Sequence, residues 1–286
     1  MATQKSSTVS DAERIVVSKA RFTMEHSTPT VALFEKFTLR AGEKSITVPK
    51  VGQMTAKALS DGVDLVDTED INMTTTSLTA SEVGLKVYIT YKMIREFNES
   101  AFNLVGRQMG DAMARKLDND GILLFASLSN TLGADNKYLT FDNLAACIAY
   151  SKANNFPSPV NVVHHPNAVF AIFDGAVVTP SITYGVPTGP LNSNLQDFWK
   201  WRFNQVDVYE DGNIQTVVTD ASMYGAIFGG GCFAYVTEQA FQKESDKDIS
   251  MRAHEIVVTS DYGVFELDDA YGAKMQYETG APSSSN

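Results

Sequence analysis

The chain has 286 residues, of which 44% are hydrophobic and 20% charged, and its formal net charge is −11. This length and apolar content suffice for a large core, in two subdomains rather than one. The negative charge argues against a general nucleic-acid-binding role, which needs a basic face. Because no run approaches the roughly 20 apolar residues of a membrane span and no signal-peptide pattern is present, we expect folding in a cytoplasm.

The N-terminal part of the chain is polar before it becomes regular. The first 30 residues predict an extended arm or a short helix rather than a domain. Alternating apolar residues then predict a β-hairpin over residues 34–48, with its turn at Arg40–Glu43. Pro49 and Gly52 are predicted to end the second strand.

A long acidic segment follows over residues 52–82. It is rich in acidic and hydroxyl side chains, has only isolated apolar residues, and precedes the predicted strand Leu85–Ile89. Such a segment cannot pack a core of its own, and connections this long are more often functional or intersubunit elements than filler. A mobile surface loop is the alternative. We expect residues 53–80 to protrude and to lie over a neighbouring subunit.

Residues 90–127 are the most informative segment. Apolar residues recur there at three- and four-residue steps without an intervening proline, which predicts one amphipathic helix about 50 Å long. The predicted buried stripe includes Phe97, Val105 and Met109, whereas Arg107 and Asp118 are assigned to the polar face. A rod of this length suits an elongated plate better than a globular enzyme.

The rest of the chain mixes helices and strands without regular alternation, which predicts an α+β fold. Thr140 or Asp142 is predicted to cap a helix over Phe141–Lys152, and Pro166 to begin a helix over Asn167–Phe173. Residues 130–136 are predicted as a turn, and residues 174–197 as mostly loop. Strands are predicted at Val160–Val163, Phe203–Tyr209, Gln215–Thr219, Ala226–Phe228, Phe233–Thr237, Glu255–Val258 and Tyr262–Leu267.

No motif predicts catalysis, a metal site or a cofactor site. His164 and His165 are adjacent on a predicted strand, so their side chains point to opposite faces. Gly229–Gly231 lacks the lysine of a phosphate loop and is expected to form a tight hairpin. Cys147 and Cys232 lie in apolar contexts and are expected to be buried free thiols, with a disulfide as the alternative.

The order of these parts resembles the major capsid protein of tailed bacteriophages. Five stretches resemble, in order, the rising limb of that family's extended loop, its return strand, its spine helix, a strand and helix of its axial domain, and its closing strands. They are TVPKVGQMTAKALSDGVDL, EVGLKVYITYKMIREF, NLVGRQMGDAMARKLDNDGILLFA, NVVHHPNAVFAIFD and MRAHEIVVTSDYGVFELDDAYGAKMQY. The resemblance covers residues 30–278.

The resemblance implies an α+β, Hong Kong 97-type capsid fold. Its parts would be an N-terminal arm, an extended β-hairpin loop, a long spine helix in a peripheral domain, and an axial domain with a central mixed sheet. The implied division is residues 1–32 for the arm, 33–90 for the extended loop and flanking strands, 91–139 for the peripheral domain with the spine helix, 140–249 for the axial domain, and 250–286 for the strands returning to the peripheral domain and the C-terminal tail.

The resemblance also implies a structural protein of the virion rather than an enzyme. Copies would assemble in the host cytoplasm, as pentamers and hexamers, into an icosahedral shell enclosing double-stranded DNA. Implied partners are other copies, a separate scaffolding protein, a portal and, as an option, a decoration protein, with no cofactor, membrane contact or sequence-specific DNA binding. The alternatives are an encapsulin-type nanocompartment shell and, more distantly, a soluble α+β enzyme or ligand-binding protein.

Ion pairs between the long helix and a neighbour's acidic loop are the predicted intersubunit contacts. The candidate residues are Lys57, Asp61, Asp64, Asp67, Glu69, Arg95, Glu96, Glu99, Arg107 and Arg115. Some members of the resembled family crosslink a loop lysine to a neighbour's asparagine. Lys50 and Lys57 are the candidate loop lysines here, but the sequence identifies neither the partner asparagine nor the assisting glutamate, so it supports no prediction of a crosslink.

Overall fold

The computed structural model describes residues 30–52, 54, 56, 58, 61–62, 71, 73–93, 100–178, 199–214 and 222–280. The predicted arm before residue 30 and the predicted strand Gln215–Thr219 lie outside these ranges. Residues 179–198 also lie outside them. Within them, strands form a four-stranded, a six-stranded and a two-stranded sheet, accompanied by three α-helices. The predicted α+β fold is confirmed.

The strands are β1 (Glu35–Thr38), β2 (Ile46–Val51), β3 (Met73–Leu78), β4 (Ser81–Thr90), β5 (Thr131–Gly133), β6 (Asn161–His164), β7 (Trp199–Phe203), β8 (Val206–Glu210), β9 (Ser222–Phe228), β10 (Phe233–Asp248), β11 (Ala253–Glu266) and β12 (Gly272–Glu278). The helices are α1 (Ser100–Ser127), α2 (Phe141–Ala153) and α3 (Pro166–Val178), and single 3-10 turns lie at Thr30–Leu33 and Asp269–Tyr271.

Both larger sheets are mixed. The four-stranded sheet has the order β1-β10-β11-β4, with β1 parallel to β10 and the other pairs antiparallel. The six-stranded sheet has the order β5-β12-β9-β6-β8-β7 and contains the parallel pairs β5–β12 and β6–β8. The predicted return strands over residues 250–286 therefore divide between the two sheets, since β11 joins the smaller and β12 the larger.

The six-stranded sheet is the middle of three layers. Val162 of β6 packs in a cluster with Leu144 and Ile148 of α2 and with residues of α3, whereas the next residue, Val163, packs in a cluster with Phe125 of α1. Successive side chains of a strand point to opposite faces, so one strand can supply both cores. The sheet thus has α2 and α3 on one side and the end of α1 on the other.

Helix α1 has 28 residues and is about 42 Å long at 1.5 Å per residue. Residues 91–93 are also helical, and residues 94–99 of the predicted single helix lie outside the described part of the chain. Its first half buries Met109 and Met113 against the four-stranded sheet, and its second half buries Ile122 and Phe125 in the aromatic cluster of the larger sheet. One helix therefore contributes to the cores of both large sheets.

The predicted hairpin over residues 34–48 is wrong. Its turn exists, since the N–H of Glu43 donates to the carbonyl of Arg40 at 2.9 Å, but β1 pairs with β10 while β2 pairs with β3. Alternation identifies a strand without identifying its partner. Pro49 also lies inside β2 rather than at its end, which is possible because each strand of a two-stranded sheet has a free edge that needs no N–H donor.

Three other local predictions are corrected. The predicted turn at residues 130–136 contains β5, and Gly229–Gly231 joins β9 to β10, which belong to different sheets and form no hairpin. The two strands predicted within residues 255–267 are the single strand β11. Because β11 is hydrogen-bonded on both sides, by β10 and by β4, its ladders continue through the polar residues Thr259–Asp261.

Thr140 caps helix α2, as one of the two predicted capping residues. Its Oγ1 accepts the N–H of Asn143 at 3.3 Å. Thr140→Ala is expected to lower the free energy of unfolding by about 1 kcal/mol, because one N–H of the first turn loses its acceptor. Urea denaturation measures this loss. Thr140→Ser keeps the oxygen and is expected to keep most of the stability, so equal losses in both variants would contradict a capping role.

Candidate intersubunit surface

The β2–β3 hairpin forms a sheet by itself and is anchored at its base, where β2 begins and β3 ends. Its register runs from the pair Ile46 and Leu78 to the pair Val51 and Met73. Leu78 is fully buried, and Ile46 and Val48 pack against the cluster that includes Leu78 and residues of β10. The base of the hairpin is therefore part of the folded body.

The end of β2, the start of β3 and two described residues between them carry exposed apolar side chains, which we call the apolar tip. These are Val51, Met54, Ile71 and Met73, with exposed fractions of 53%, 54%, 60% and 60%. Val51 and Met73 are directly opposite each other in the register, so their side chains share one face. Neighbouring exposed apolar side chains, such as those of Val51 and Met73, are typical of a surface that another molecule covers.

Lys50 connects the hairpin to the body just before the apolar tip. Its Nζ lies 2.5 Å from Oδ1 of Asp268, whose carboxylate also accepts the N–H of Ala270 and caps the turn Asp269–Tyr271. Asp268 is largely buried, so this pair is better shielded from solvent than a surface ion pair. Lys50, one of the two loop lysines of the sequence, is thus paired within its own chain, and Lys57 lies outside the described residues.

The predicted intersubunit residues are only partly within the described ranges. Asp61 and Arg107 are exposed, as an intersubunit role requires. Arg115 is half-buried, and its Nε is buried without a hydrogen-bond partner. Lys57, Asp64, Asp67, Glu69, Arg95, Glu96 and Glu99 lie outside the described part of the chain. The predicted ion pairs with a neighbour therefore stay a prediction.

No described constellation has the chemistry of an active site. In the described ranges, no group of three or more His, Cys, Asp or Glu side chains could hold a metal ion. A cavity of about 350 Å³ lies beside the glycine segment, and Glu35 is the one ionisable side chain among its described lining residues, which are Leu33, Phe34, Glu35, Pro159, Asn161, Phe228, Gly229, Gly230, Gly231 and Phe233. An acid without a nucleophile or a base beside it offers no mechanism.

The adjacent histidines accept hydrogen bonds from nearby backbone N–H groups. Nδ1 of His164 accepts the N–H of His165 at 2.8 Å, and Nδ1 of His165 accepts the N–H of Asn167 at 3.2 Å at the start of α3. Burial lowers the pKa of His164 to about 3, with a further contribution from His165, and burial lowers the pKa of His165 as well. Both imidazoles are therefore neutral at physiological pH.

The two cysteines are buried free thiols, as predicted. Cys147 packs between α2 and the larger sheet with its Sγ 3.4 Å from the hydroxyl of Tyr277, whereas Cys232 belongs to the aromatic cluster on the other face. Burial raises the pKa of both thiols. Neither is therefore a reactive thiolate.

A buried carboxyl cluster, formed by Thr30, Asp118, Asp211 and Asn213, is the polar site that the sequence did not predict. Asp118 was assigned to the polar face of the long helix, and this is wrong, since Asp118 has no exposed surface. The N–H of Thr30 and Nδ2 of Asn213 donate to Asp118 at 3.0 and 2.9 Å. The hydroxyl of Thr30 and the N–H of Asn213 donate to Asp211 at 2.5 and 2.8 Å.

The spacing of Asp118 in the sequence could have indicated its burial. Asp118, Ile122 and Phe125 are spaced i, i+4 and i+7, which places them on one helix face, and the two apolar members are buried. A polar residue in register with a buried apolar stripe indicates a satisfied buried group as readily as a solvated one. What the sequence could not supply was Asp211, which lies 93 residues further along the chain.

The chain is similar to known proteins in structure rather than in sequence. No protein family and no curated protein matches the chain. The capsid of a native GTA particle matches with a TM-score of 0.69 at 11% identity, over 88% of this chain and 91% of that one. The cyanophage Pam1 capsid matches with a TM-score of 0.68 at 11% identity, over 87% and 89%. The chain has the Hong Kong 97-type capsid fold.

A third structure, from Mycobacterium phage Che8, matches with a TM-score of 0.64 at 16% identity, over 82% of this chain and 85% of that one. The capsid fold therefore extends over most of both chains while the sequences have diverged almost completely. The resemblance recognised from the order of parts is confirmed, and the finer division into peripheral and axial domains stays a prediction.

Proposed function

We propose that this chain is a major capsid protein, whose copies assemble as pentamers and hexamers into the icosahedral shell of a tailed bacteriophage. The observation that carries the proposal is the capsid fold, shared with phage and GTA capsids over more than four-fifths of each chain. In this function the subunit would reside in the virion and do its work by forming surfaces.

The apolar tip supports this function. Its four side chains are more than half exposed, although the base of the same hairpin is buried. A contact between this tip and a different surface of the next subunit would be heterologous, and heterologous contacts that close produce rings and shells. The anchored base and the Lys50–Asp268 pair would hold the tip in position for such a contact.

The charge of the chain suits a container for DNA. A net charge of −11 on every subunit repels phosphates and opposes tight retention of the duplex. The shell would therefore enclose DNA without sequence-specific binding. A scaffolding protein and a portal, with a decoration protein as an option, would complete the particle.

A structural role requires no catalysis, and we propose that the chain is not an enzyme. An encapsulin-type shell would use the same fold around an enzyme cargo. The phage capsids among the similar structures favour the virion function over that alternative.

Electron microscopy of negatively stained protein tests the proposal. The purified chain, supplied with the scaffolding protein of its phage at tens of micromolar, is expected to form closed shells or free pentamers and hexamers. Persistent 31.2 kDa monomers under these conditions would overturn the capsid function. Shells that enclose a protein cargo and exclude DNA in the native host would establish the encapsulin alternative instead.

A further inference from the structure

The carboxyl cluster joins three separate parts of the fold at one point. Thr30 begins the described chain, Asp118 lies in α1, and Asp211 and Asn213 follow β8 of the six-stranded sheet. Thr30 and Asn213 each use their backbone N–H on one carboxyl group and their side chain on the other. The four contacts therefore fasten the backbone at Thr30 to both the helix and the sheet.

Among the described residues, the cluster has hydrogen-bond donors for its oxygens but no cation for its charge. Each of the four carboxyl oxygens accepts one hydrogen bond from a neutral group. No salt bridge of either Asp118 or Asp211 occurs in the described ranges, and both side chains are at most 3% exposed. Thr30 and Asn213 each bridge the two carboxyl groups, which places Asp118 and Asp211 side by side. Because ionisation of one buried carboxyl group opposes ionisation of the other, the pair retains one proton well above the usual pKa of a carboxyl group.

We propose that Asp118 and Asp211 share this proton as a latch, which holds the backbone at Thr30 against α1 and the six-stranded sheet and which tightens as the pH falls. The device needs only the folded subunit. It is independent of the proposed capsid function, and an experiment on unassembled protein tests it.

The pKa of Asp118 gives the direction and the range of the response. Burial, followed by the hydrogen bond to Asp211 and the charge of Asp211, raises the pKa of the Asp118 carboxyl from 3.8 to about 8. The closed latch therefore holds a proton that the open form releases above about pH 4. The latch has its full strength below about pH 4, weakens as the pH rises from 4 to 8, and changes no further above 8.

Histidines are the first neighbouring groups that could produce a similar response. His165 interacts with the charge of Asp211, which raises the pKa of His165 and partly offsets the larger, opposite effect of burial. The carbonyl of His164 accepts the N–H of Asp211 at 3.0 Å, and its imidazole is neutral above about pH 3. Since the pKa of His165 lies below its usual range, a histidine response would end at a lower pH than that of the latch.

The remaining charged groups lie on the elements packed against the pair. Arg115 is one turn before Asp118 on α1, Glu210 directly precedes Asp211 at the end of β8, and the turn Thr30–Leu33 has no ionisable side chain. Tyr209 is partly buried against the aromatic cluster of the larger sheet, and burial raises its pKa, so it stays neutral through the range of the latch. In the described ranges, Arg115 forms no ion pair with either carboxyl group.

Hydrogen exchange read by mass spectrometry tests the latch at the peptide that contains Thr30. After correction for the intrinsic exchange rate, the opening constant at this peptide is expected to rise by up to about tenfold per pH unit between pH 5 and pH 8 and then to level off. Peptides from α2 around Ile148 are expected to show no such slope. A flat profile at Thr30 in the wild-type chain would overturn the proposal.

Substitutions identify the titrating group. Asp118→Asn and Asp211→Asn each remove the shared proton and are expected to flatten the profile, whereas Asp111→Asn, a half-exposed position two turns earlier on α1, is expected to keep it. His165→Gln is expected to keep the slope between pH 6.5 and 8. Loss of the slope in His165→Gln, or its retention in both carboxyl variants, would overturn the assignment.

Infrared spectroscopy provides a check that needs no variant to fold. The wild-type subunit at pH 6 is expected to show the carbonyl band of a protonated carboxylic acid, although exposed carboxyl groups are ionised at that pH. The band is expected to disappear above about pH 8. Its absence at pH 6 would show that both carboxyl groups are ionised and would contradict the latch.

Discussion

Replacing the four side chains of the apolar tip by serine is expected to abolish shell formation and to leave the subunit folded. The variant combines Val51→Ser, Met54→Ser, Ile71→Ser and Met73→Ser. Because each of these side chains is more than half exposed, the subunit itself loses little buried surface. Burial of their exposed halves by a neighbour would contribute about 4 kcal/mol per contact, or about a thousandfold in association, and every subunit in a shell would lose it.

Two measurements separate assembly from folding in this variant. Size-exclusion chromatography and negative-stain microscopy record assembly, and thermal unfolding by circular dichroism records the fold. The matched control is the pair Thr74→Ser and Thr75→Ser, which removes exposed methyl groups from the same hairpin and is expected to assemble normally. Normal shells from the fourfold variant would exclude the tip from the interface, and a large fall in melting temperature would show that the tip packs on its own subunit.

Phe125→Ala is expected to lower the free energy of unfolding by about 3–5 kcal/mol. Phe125 has no exposed surface, and its ring centroid lies 6.0 Å from that of Phe228 and 5.8 Å from that of Phe233. These rings join α1 to β9 and β10, which belong to the two large sheets, so the cavity would lie where both meet the helix. Against a total stability of about 5–15 kcal/mol, such a loss leaves the subunit close to unfolding at physiological temperature.

Leu123→Ala is the control for this substitution, since Leu123 lies two residues earlier on the same helix and is 58% exposed. Its cost in urea denaturation is expected to be under about 1 kcal/mol. Similar losses in the two variants would contradict the assignment of the buried face of α1. A selective loss of assembly in Leu123→Ala would instead identify Leu123 as an intersubunit contact.

Features that depend on neighbours in sequence were predictable. The apolar periodicity of α1, the cap at Thr140 and the proline that begins α3 each act within one or two helical turns, so the local sequence contains the information needed to recognise them. The expectation that residues 53–80 protrude over a neighbour stays a prediction, since most of residues 53–72 lie outside the described part of the chain.

Strand pairing was not predictable in the same way. Period-two alternation marks β1 and β2 as strands, but their partners are β10, about 200 residues away, and β3, across a long connection. The proximity in sequence of β1 and β2 suggested a hairpin that the fold does not contain. Likewise, the polar residues of β11 suggested a break where ladders on both sides maintain one strand.

The candidate site shows the same division. Exposed charges such as Asp61 and Arg107 were predictable from composition, whereas the exposed apolar tip and the Lys50–Asp268 pair depend on which surfaces the folded body leaves uncovered or brings together. Asp118 is the clearest case. Its spacing places it on a face with buried residues, but only the approach of Asp211, Asn213 and Thr30 provides the partners that allow a carboxyl group to be buried.

By itself, the sequence determined an α+β chain with a long helix, an acidic segment and an order of parts resembling a phage capsid protein, because periodicity, capping and composition are local properties. Only the tertiary structure decided which strands pair and which side chains are exposed at the apolar tip. It also decided which carboxyl groups are buried together and, in our proposal, share a proton. Those outcomes depend on contacts between residues tens to hundreds of positions apart. Such contacts form only in the folded chain, so a single sequence does not reveal them.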